Sequence, residues 1–234
     1  MYIIPTRVHL GDIGPDNLET PFSIVSKMQD CEMQWLESEP ELAAFLEKNK
    51  SVLICASRQV DFIRRPALGE RTEVHSWVFD ARKRMSYRNS ALVGEGGEIL
   101  AKCWGLGMFL QLDTGKVLEV PEELNARTTI DEKLDMTYLK RKILLPKVEP
   151  QRLESIAVKR SDIDCNGHVN NAIYVRVAFD LLPDEFMPTR LHITHEGQAR
   201  RHDVIIPELY REGERRVYTL SSESGQRFAT VEWN

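Results

Sequence analysis

Residues 2–10 form a short strand-like run, and the hydrophobic pattern of residues 20–48 is helical. Four apolar side chains, at spacings of four, three and four, share one face of a helix: Ile24, Met28, Cys31 and Trp35. Thr20 followed by Pro21 is a typical helix start, because the hydroxyl can cap the first turn and proline needs no hydrogen-bond acceptor there. A second, shorter helix is predicted from Pro40 to about Lys48.

From residue 52 the pattern changes to the alternation of period two that is typical of strands. Four antiparallel strands are predicted, at about 52–62, 72–79, 83–93 and 99–112. Glycine-rich turns at 94–97 and 113–116 follow the last two strands. Residues 121–150 have no clear period and are rich in Pro, Glu, Lys and Arg, so we predict a linker there, with a short helix near 131–139.

The second half of the chain repeats the order of elements in the first. A strand at 153–160 precedes a polar loop and a helix at 170–182, and four strands follow, at about 190–199, 203–210, 215–222 and 226–233. Three identities recur at an offset of 150 residues: Val8, Asp12 and Ile13 match Val158, Asp162 and Ile163. The predicted fold class is α+β, with two curled antiparallel sheets that each pack around one central helix. The predicted domains are 1–125 and 151–234, with the linker assigned to 126–150.

Composition narrows the class of protein. The chain has 234 residues and a formal net charge of -5, and its pI near 5.8 argues against a nucleic-acid partner. No segment approaches the roughly 20 apolar residues that span a bilayer, so membrane insertion is not expected. Residues 1–7 become polar too early for a signal-peptide core. The four cysteines are scattered, which is typical of reduced thiols and of a cytoplasmic protein: Cys31, Cys55, Cys103 and Cys165.

Candidate chemistry is concentrated in residues 161–174. A carboxylate, an amide and an imidazole alternate at Asp164, Asn166 and His168, so in an extended segment all three would project the same way. The helix that follows offers unpaired backbone N–H groups that favour negative charge. These are the groups needed to hydrolyse an ester or thioester. The alternative is that Asp164 and Asn166 only cap the helix and His168 is an ordinary loop residue.

The run from Ser161 to Asn171 resembles the signature of the plant and bacterial acyl-acyl-carrier-protein thioesterases. The first half resembles the same family at 58–66, at 69–70, around Gly97 and at 113–124. This resemblance implies a tandem, or double, hotdog fold, which agrees with the repeated order of elements.

The resemblance also implies roles for individual residues. The family's catalytic Asp, Asn and His fall on Asp164, Asn166 and His168, which would orient and activate water or substrate. The helix start would polarise the thioester carbonyl, and three residues there are predicted to bind substrate: Val169, Asn170 and Asn171. No cofactor and no metal is expected. An acyl carrier protein is the expected partner, and a homodimer is left open.

The sequence departs from the family pattern at one catalytic position. The family usually has a Glu on the strand after the helix, and alignment on Asp203 places that position at Gln198. A glutamine can orient a water molecule but cannot take its proton. Asp164 is our preferred base, and Glu196 is the other candidate, because positions 196 and 198 share a face of the predicted strand.

The first copy lacks the catalytic groups. At the offset of 150, Asp164 corresponds to Gly14, Asn166 to Asp16 and His168 to Leu18. We therefore expect the first domain to be non-catalytic. Its helix face at residues 24–35 would line an acyl channel, or form plain core.

Three further residue groups have possible functions: a cysteine, a set of histidines and the basic clusters. Cys165 could be a nucleophile, although alternation would point it away from His168. A metal site at His192, His195 and His202 is not expected, because residues three apart on a strand face opposite sides. An acidic carrier could dock on one of four basic clusters, between which the sequence does not choose: 64–65, 82–84, 140–142 and 200–201.

The expected function is therefore hydrolysis of acyl-acyl-carrier-protein thioesters to free fatty acids. The alternatives are an acyl-coenzyme A thioesterase and, because Gln198 replaces the family's Glu, a non-catalytic acyl-binding protein.

Overall fold

The computed structural model describes residues 1–234. Its helices are α1 Pro21–Gln34, α2 Pro40–Lys48, α3 Glu122–Asn125 and α4 Asn171–Asp180. Its strands are β1 Tyr2–Arg7, β2 Ser51–Phe62, β3 Arg71–Arg82, β4 Met85–Gly94, β5 Ile99–Gln111, β6 Gln151–Arg152, β7 Ile156–Ala157, β8 Arg190–His195, β9 Val204–Glu212, β10 Arg215–Ser221 and β11 Arg227–Trp233. None of the helices is long and apolar enough to cross a membrane. The chain forms two compact units, Met1–Ala56 with Phe62–Tyr138, and Ser57–Asp61 with Leu139–Asn234.

The first unit packs α1 against an antiparallel sheet in the order β1–β3–β4–β5–β2. Helix α1 begins as predicted, because Thr20 Oγ1 accepts a hydrogen bond from the Ser23 N–H at 3.2 Å and Pro21 is the first helical residue. The predicted apolar face is fully buried: Ile24, Met28 and Cys31 are 0% exposed and Trp35 is 9% exposed. The helical pattern and the shorter helix α2 are both confirmed.

The second unit repeats this arrangement around α4. Its strands lie in the order β8–β11–β10–β9–β6, and β7 pairs with β9. Residues 57–61 of β2 belong to this unit and pair antiparallel with β8, from Ser57 opposite Thr194 to Asp61 opposite Arg190. Helix α4 buries a row of apolar residues against the sheet: Ala172, Ile173, Tyr174, Val175, Val177 and Ala178.

Two strand predictions in the second unit are too long. Within the strand expected at 153–160 only β7, Ile156–Ala157, forms, and β6 lies just before that range. Pro207 of their shared partner β9 has no N–H to donate, which interrupts the ladder between them. Strand β8 ends at His195 and not at Ala199. The Glu196 and Gly197 N–H groups both donate to the Phe228 carbonyl, at 2.8 and 3.0 Å, and this shared acceptor ends the regular pairing.

The predicted helix near 131–139 is absent. Residues 129–144 instead form a segment without helix or regular strand, which we call the strap. In the first unit the Trp77 Nε1–H donates to the Glu132 carbonyl at 2.7 Å, and the Leu134 N–H donates to Asn89 Oδ1 at 3.0 Å. The strap's backbone groups are satisfied by side chains of the sheet, so they do not need a helix.

The strap continues along the sheet of the second unit. Thr194 Oγ1 donates to the Arg141 carbonyl at 3.0 Å. The next residue of β8, His195, has its ring 5.9 Å from the ring of Tyr174 on α4. Successive side chains of a strand point to opposite faces, so this part of the strap lies on the face of the sheet away from α4.

Candidate active site

The segment expected to carry the chemistry is a tight turn and not an extended strand. Asp164 N–H donates to the His168 carbonyl at 2.8 Å, and Gly167 N–H donates to the Asp164 carbonyl at 3.1 Å. Gly167 has a φ of +78°, a conformation that glycine adopts without the strain other residues incur. The alternation argument for the three polar residues is therefore wrong, and so is its use against Cys165, which is exposed on this turn.

The Asp164 carboxylate holds the turn together. Its Oδ1 accepts hydrogen bonds from the backbone N–H groups of Asn166, at 2.8 Å, and His168, at 3.3 Å. The other oxygen, Oδ2, makes no hydrogen bond within the protein. Asp164 is half-buried. One carboxylate oxygen is thus structural, while the second is available to a ligand or a water molecule.

His168 offers a second available group beside this carboxylate. Its Nδ1 is buried and has no hydrogen-bond partner, which is uncommon for a buried polar atom in a folded protein. Asn166 is exposed at the tip of the turn. An imidazole nitrogen that lacks a partner can accept from, or donate to, a bound substrate.

The start of α4 presents one free backbone donor. Asn170 caps the helix, since its Oδ1 accepts from the Ala172 N–H at 2.9 Å. The Val169 N–H donates to the Ala199 carbonyl at 2.8 Å, and the Asn170 N–H donates to the Asp162 carbonyl at 2.9 Å. Of the three residues predicted to bind substrate, only Asn171 keeps a backbone N–H with no protein acceptor. It is the group that can stabilise a developing oxyanion.

The segment after β8 is fixed against this turn. Ala199 N–H donates to the Tyr174 hydroxyl oxygen at 2.9 Å, and the Ala199 carbonyl accepts from Val169. Tyr174 is fully buried, and burial raises the pKa of its hydroxyl to about 12. The sequence placed Tyr174 only within the helix predicted at 170–182, since nothing local marks a contact with a residue 25 positions away.

Gln198 and Glu196 do not share a strand face, because both lie beyond the end of β8. Glu196 Oε1 accepts a hydrogen bond from Thr230 Oγ1 at 2.7 Å, so its carboxylate is held by β11. The Gln198 side chain is exposed and makes no hydrogen bond within the protein.

The turn has a counterpart in the first unit with the same hydrogen bonds. Gly14 N–H donates to the Leu18 carbonyl at 2.9 Å, and Asn17 N–H donates to the Gly14 carbonyl at 3.0 Å. Asn17 takes the left-handed conformation of Gly167, with a φ of +61°. The offset of 150 seen in the sequence therefore holds for the backbone of the turn, although the side chains that could react are missing from the first copy.

This repeat also shows where a side chain at position 198 can reach. The Glu19 N–H donates to the Pro66 carbonyl at 2.8 Å, as the Val169 N–H does to Ala199, so Arg65 is the counterpart of Gln198. Arg65 Nε donates to the Glu19 carbonyl at 2.8 Å, and its Nη2 donates to Asp16 Oδ2 at 2.6 Å. An arginine at this position of the repeat therefore reaches the turn, whereas the shorter Gln198 side chain makes no such contact in the second unit.

The two histidines of β8 are not metal ligands in this structure. No group of three or more His, Cys, Asp or Glu side chains could hold a metal ion. Burial lowers the pKa of His192 to about 4. Burial and the positive charge of Arg58 lower the pKa of His195 to about 3. Both imidazoles are therefore neutral near pH 7, and His195 lies against Tyr174 beside the segment that carries Gln198.

Family models match most of the chain. The acyl-ACP thioesterase N-terminal domain matches residues 8–128, and the acyl-ACP thioesterase C-terminal domain matches residues 146–234. A dodecanoyl-[acyl-carrier-protein] hydrolase from Cinnamomum camphora is 26% identical over 200 residues, which cover 78% of this chain and 51% of that protein. An acyl-[acyl-carrier-protein] hydrolase from Cuphea viscosissima is 28% identical over 171 residues, which cover 68% and 41%. The chain thus spans about half the length of these curated relatives.

Solved structures share the fold over nearly the whole chain. An acyl-ACP thioesterase from Bacteroides thetaiotaomicron superposes with a TM-score of 0.90 at 16% identity, covering 99% of this chain and 96% of that one. A 12:0-ACP thioesterase from Umbellularia californica gives 0.86 at 17% identity, covering 100% and 96%. These matches show the predicted α+β hotdog fold. Two adjacent family models, each on its own unit of a duplicated fold, show that the chain belongs to the acyl-ACP thioesterase family.

Proposed function

We propose that the protein hydrolyses the thioester of an acyl group carried by an acyl carrier protein, releasing a free fatty acid and the carrier thiol. The observation that carries this proposal is the 163–169 turn. The turn holds Asp164 Oδ2 and a partnerless His168 Nδ1, and the helix that follows it begins with the free Asn171 N–H. These are a base, a polar orienting group and an oxyanion donor, the three parts that acyl transfer to water requires.

The proposed reaction begins with water held at the turn. Asp164 Oδ2 takes a proton from the water while the water oxygen forms a bond to the thioester carbonyl carbon. The negative charge that develops on the carbonyl oxygen is stabilised by the Asn171 N–H and by the positive end of the α4 dipole. The tetrahedral intermediate then breaks its C–S bond, and the proton passes to the leaving sulfur. His168 and Asn166 orient the water and the carbonyl.

Gln198 completes the site in this proposal. Its counterpart Arg65 reaches the equivalent turn, so we assign to Gln198 the orientation of the water by its amide. Glu196 is assigned no role in proton transfer, because its carboxylate is held by Thr230.

We assign the chemistry to the second unit alone. Leu18 replaces the imidazole in the first turn, and the Asp16 carboxylate there is paired with Arg65. The first unit then contributes shape, and the buried face of α1 is the candidate lining for an acyl chain. We further propose the cytoplasm as the compartment, a choice supported by the four free thiols.

Free-thiol release tests the proposal. A panel of acyl-carrier-protein thioesters of different chain length is compared with acyl-coenzyme A, and with an acyl N-acetylcysteamine thioester that has no carrier. We expect turnover on carrier substrates and its loss in Asp164→Ala. Faster turnover of acyl-coenzyme A would favour the alternative thioesterase.

One observation favours a second candidate function, a non-catalytic acyl-binding protein. The position of the family's Glu is occupied by Gln198, and the carboxylate two residues before it, Glu196, is engaged elsewhere. Tight binding of acyl thioesters by the folded protein, with no thiol released from any substrate, would establish that function and overturn the hydrolase.

A further inference from the structure

The four basic clusters of the sequence differ in whether their charges are neutralised. Arg64 is paired with Glu70 and Glu98, and Arg65 is paired with Asp16. The cluster at 82–84 is also neutralised, by Asp80 and Glu119. The side chains at 140–142 and at 200–201 are exposed and form no ion pair.

The chain brings a second pair of cations to the cluster at 200–201. The Val158 N–H donates to the Asp203 carbonyl at 3.0 Å, and the Asp203 N–H donates to the Arg200 carbonyl at 3.1 Å. Lys159 and Arg160, which follow Val158, are thereby placed beside the turn that carries Arg200 and Arg201. All four of these cations are exposed and none forms an ion pair, although the charge of Lys159 partly offsets the rise that burial gives to the pKa of Asp180.

The acidic residues of these segments do not neutralise the four cations. Asp162 is buried, with Oδ1 accepting from Arg176 at 2.7 Å and Oδ2 accepting from the Lys159 N–H at 2.7 Å. Asp203 Oδ2 accepts from the Arg200 N–H at 2.7 Å. A chain with a net charge of -5 thus keeps four unpaired positive charges together on one surface of its second unit.

This surface borders the candidate site on two sides. Lys159 and Arg160 immediately precede the turn at 163–169, and Arg200 and Arg201 immediately follow Ala199, whose carbonyl is bonded to that turn. The other unpaired cluster, at 140–142, belongs to the strap, where the Arg141 carbonyl is bonded on the face of the sheet away from α4.

We propose that Lys159, Arg160, Arg200 and Arg201 form the docking surface for the acidic face of the acyl carrier protein. The proposal rests on the proposed function, and it chooses one of the four basic clusters. Exposed charges at the rim of an interface act mainly on the rate of encounter and on register, and their effect is screened by salt. Docking at this surface would deliver the thioester to the turn between the two pairs of cations.

Charge reversal tests the surface. The variants are Arg200→Glu with Arg201→Glu, and Lys159→Glu with Arg160→Glu. We expect each to raise the KM for the carrier substrate about tenfold at low salt with kcat little changed. Raising salt should increase the KM of the unaltered protein and narrow its difference from the variants. Unchanged turnover of the N-acetylcysteamine thioester shows that the variants are folded and active.

A matched control uses the other unpaired cluster. Lys140→Glu with Lys142→Glu changes the net charge by the same amount, and we expect it to leave the KM for the carrier substrate unchanged. An equal rise in this control would overturn the proposal, because it would show a general charge effect. An equal rise for acyl-coenzyme A would also overturn it, by assigning the cations to the nucleotide phosphates. If the protein hydrolyses carrier substrate and no variant has a raised KM, the docking surface alone is overturned. If no substrate is hydrolysed, the proposed function is overturned.

Discussion

At the scale of single residues, Asp164 has two separable tasks. Its Oδ1 holds the turn through the Asn166 and His168 N–H groups, while Oδ2 is free to accept a proton. An asparagine side chain at this position can still accept the two turn hydrogen bonds, but it cannot act as a base. The structure therefore allows the chemistry of the carboxylate to be removed without removing the turn.

Asp164→Asn is expected to lower kcat by about 10²–10⁴-fold, the range of general-base catalysis, with little change in the melting temperature. Asp164→Ala should lower both kcat and stability, the latter by about 1–2 kcal/mol. Thiol-release kinetics and thermal melts measure the two effects. Cys165→Ala, on the same turn, is the matched control and should keep full turnover. Loss of turnover there would move the chemistry to a cysteine nucleophile.

Gln198→Glu tests the departure from the family pattern. A carboxylate that reaches the turn from this position, as the counterpart Arg65 does, adds a second group able to take a proton. We expect kcat to rise and the pH profile of kcat to gain a limb that increases as the new carboxyl ionises. A profile and a kcat identical to those of the unaltered protein would place position 198 outside the site.

At the scale of elements, the structure agrees with the sequence where the controlling interactions are local. Helix α1 begins at the predicted Thr20–Pro21 pair, because a cap needs only residues within one turn. The turn at 163–169 was predicted as extended, since alternation of residue types does not show that Gly167 takes a positive φ. The end of β8 and the contact of Ala199 with Tyr174 depend on partners 25 to 34 residues away, which no local pattern contains.

Strand β8 carries two neutral histidines, the buried His192 and the half-buried His195, and this couples stability to pH. The pKa of His195 is lowered to about 3 and that of His192 to about 4, both below the usual value of about 6.5. Below pH 6.5 the unfolded chain binds protons that the folded protein does not, so stability falls as the pH falls toward these lowered values. We expect the free energy of unfolding to be smaller at pH 5 than at pH 7.

The slope should be at most about 1.4 kcal/mol per pH unit for each histidine. Urea unfolding at a series of pH values measures it. His195→Gln removes one contribution, and its stability should depend less steeply on pH between 6.5 and 4. An identical slope in the variant would show that His195 is protonated equally in the folded and unfolded states.

At the scale of the whole molecule, the two copies of the turn differ in whether their polar side-chain atoms have hydrogen-bond partners. The second turn keeps atoms without partners, at Asp164 and His168. In the first, Arg65 fills the place of Gln198 and bonds to Glu19, Asp16 and Leu18. Partnerless polar groups are typical of sites that bind something, and satisfied networks are typical of structure.

Arg65→Ala is therefore expected to cost stability and spare catalysis. Its side chain is 9% exposed, and hydrogen bonds to charged groups contribute about 1.5–3 kcal/mol each, so we expect a loss of about 2–4 kcal/mol with kcat retained. Arg82→Ala removes an exposed arginine paired with Asp80 and should leave the free energy of unfolding nearly unchanged, because solvent screens exposed ion pairs. Chemical denaturation compares them. A large drop in kcat for Arg65→Ala would contradict the division of roles.

The pairing of residues 57–61 with β8 limits which fragments of the chain can fold alone. A fragment that begins in the linker would contain every proposed catalytic residue, yet it would leave one side of β8 as an open edge of unpaired backbone groups. Such edges recruit other chains and favour aggregation. We expect the 139–234 fragment to be insoluble by itself and to be rescued by a peptide of β2 supplied in trans. No single cut of the chain therefore isolates the second unit, because one of its strands is supplied by residues 57–61.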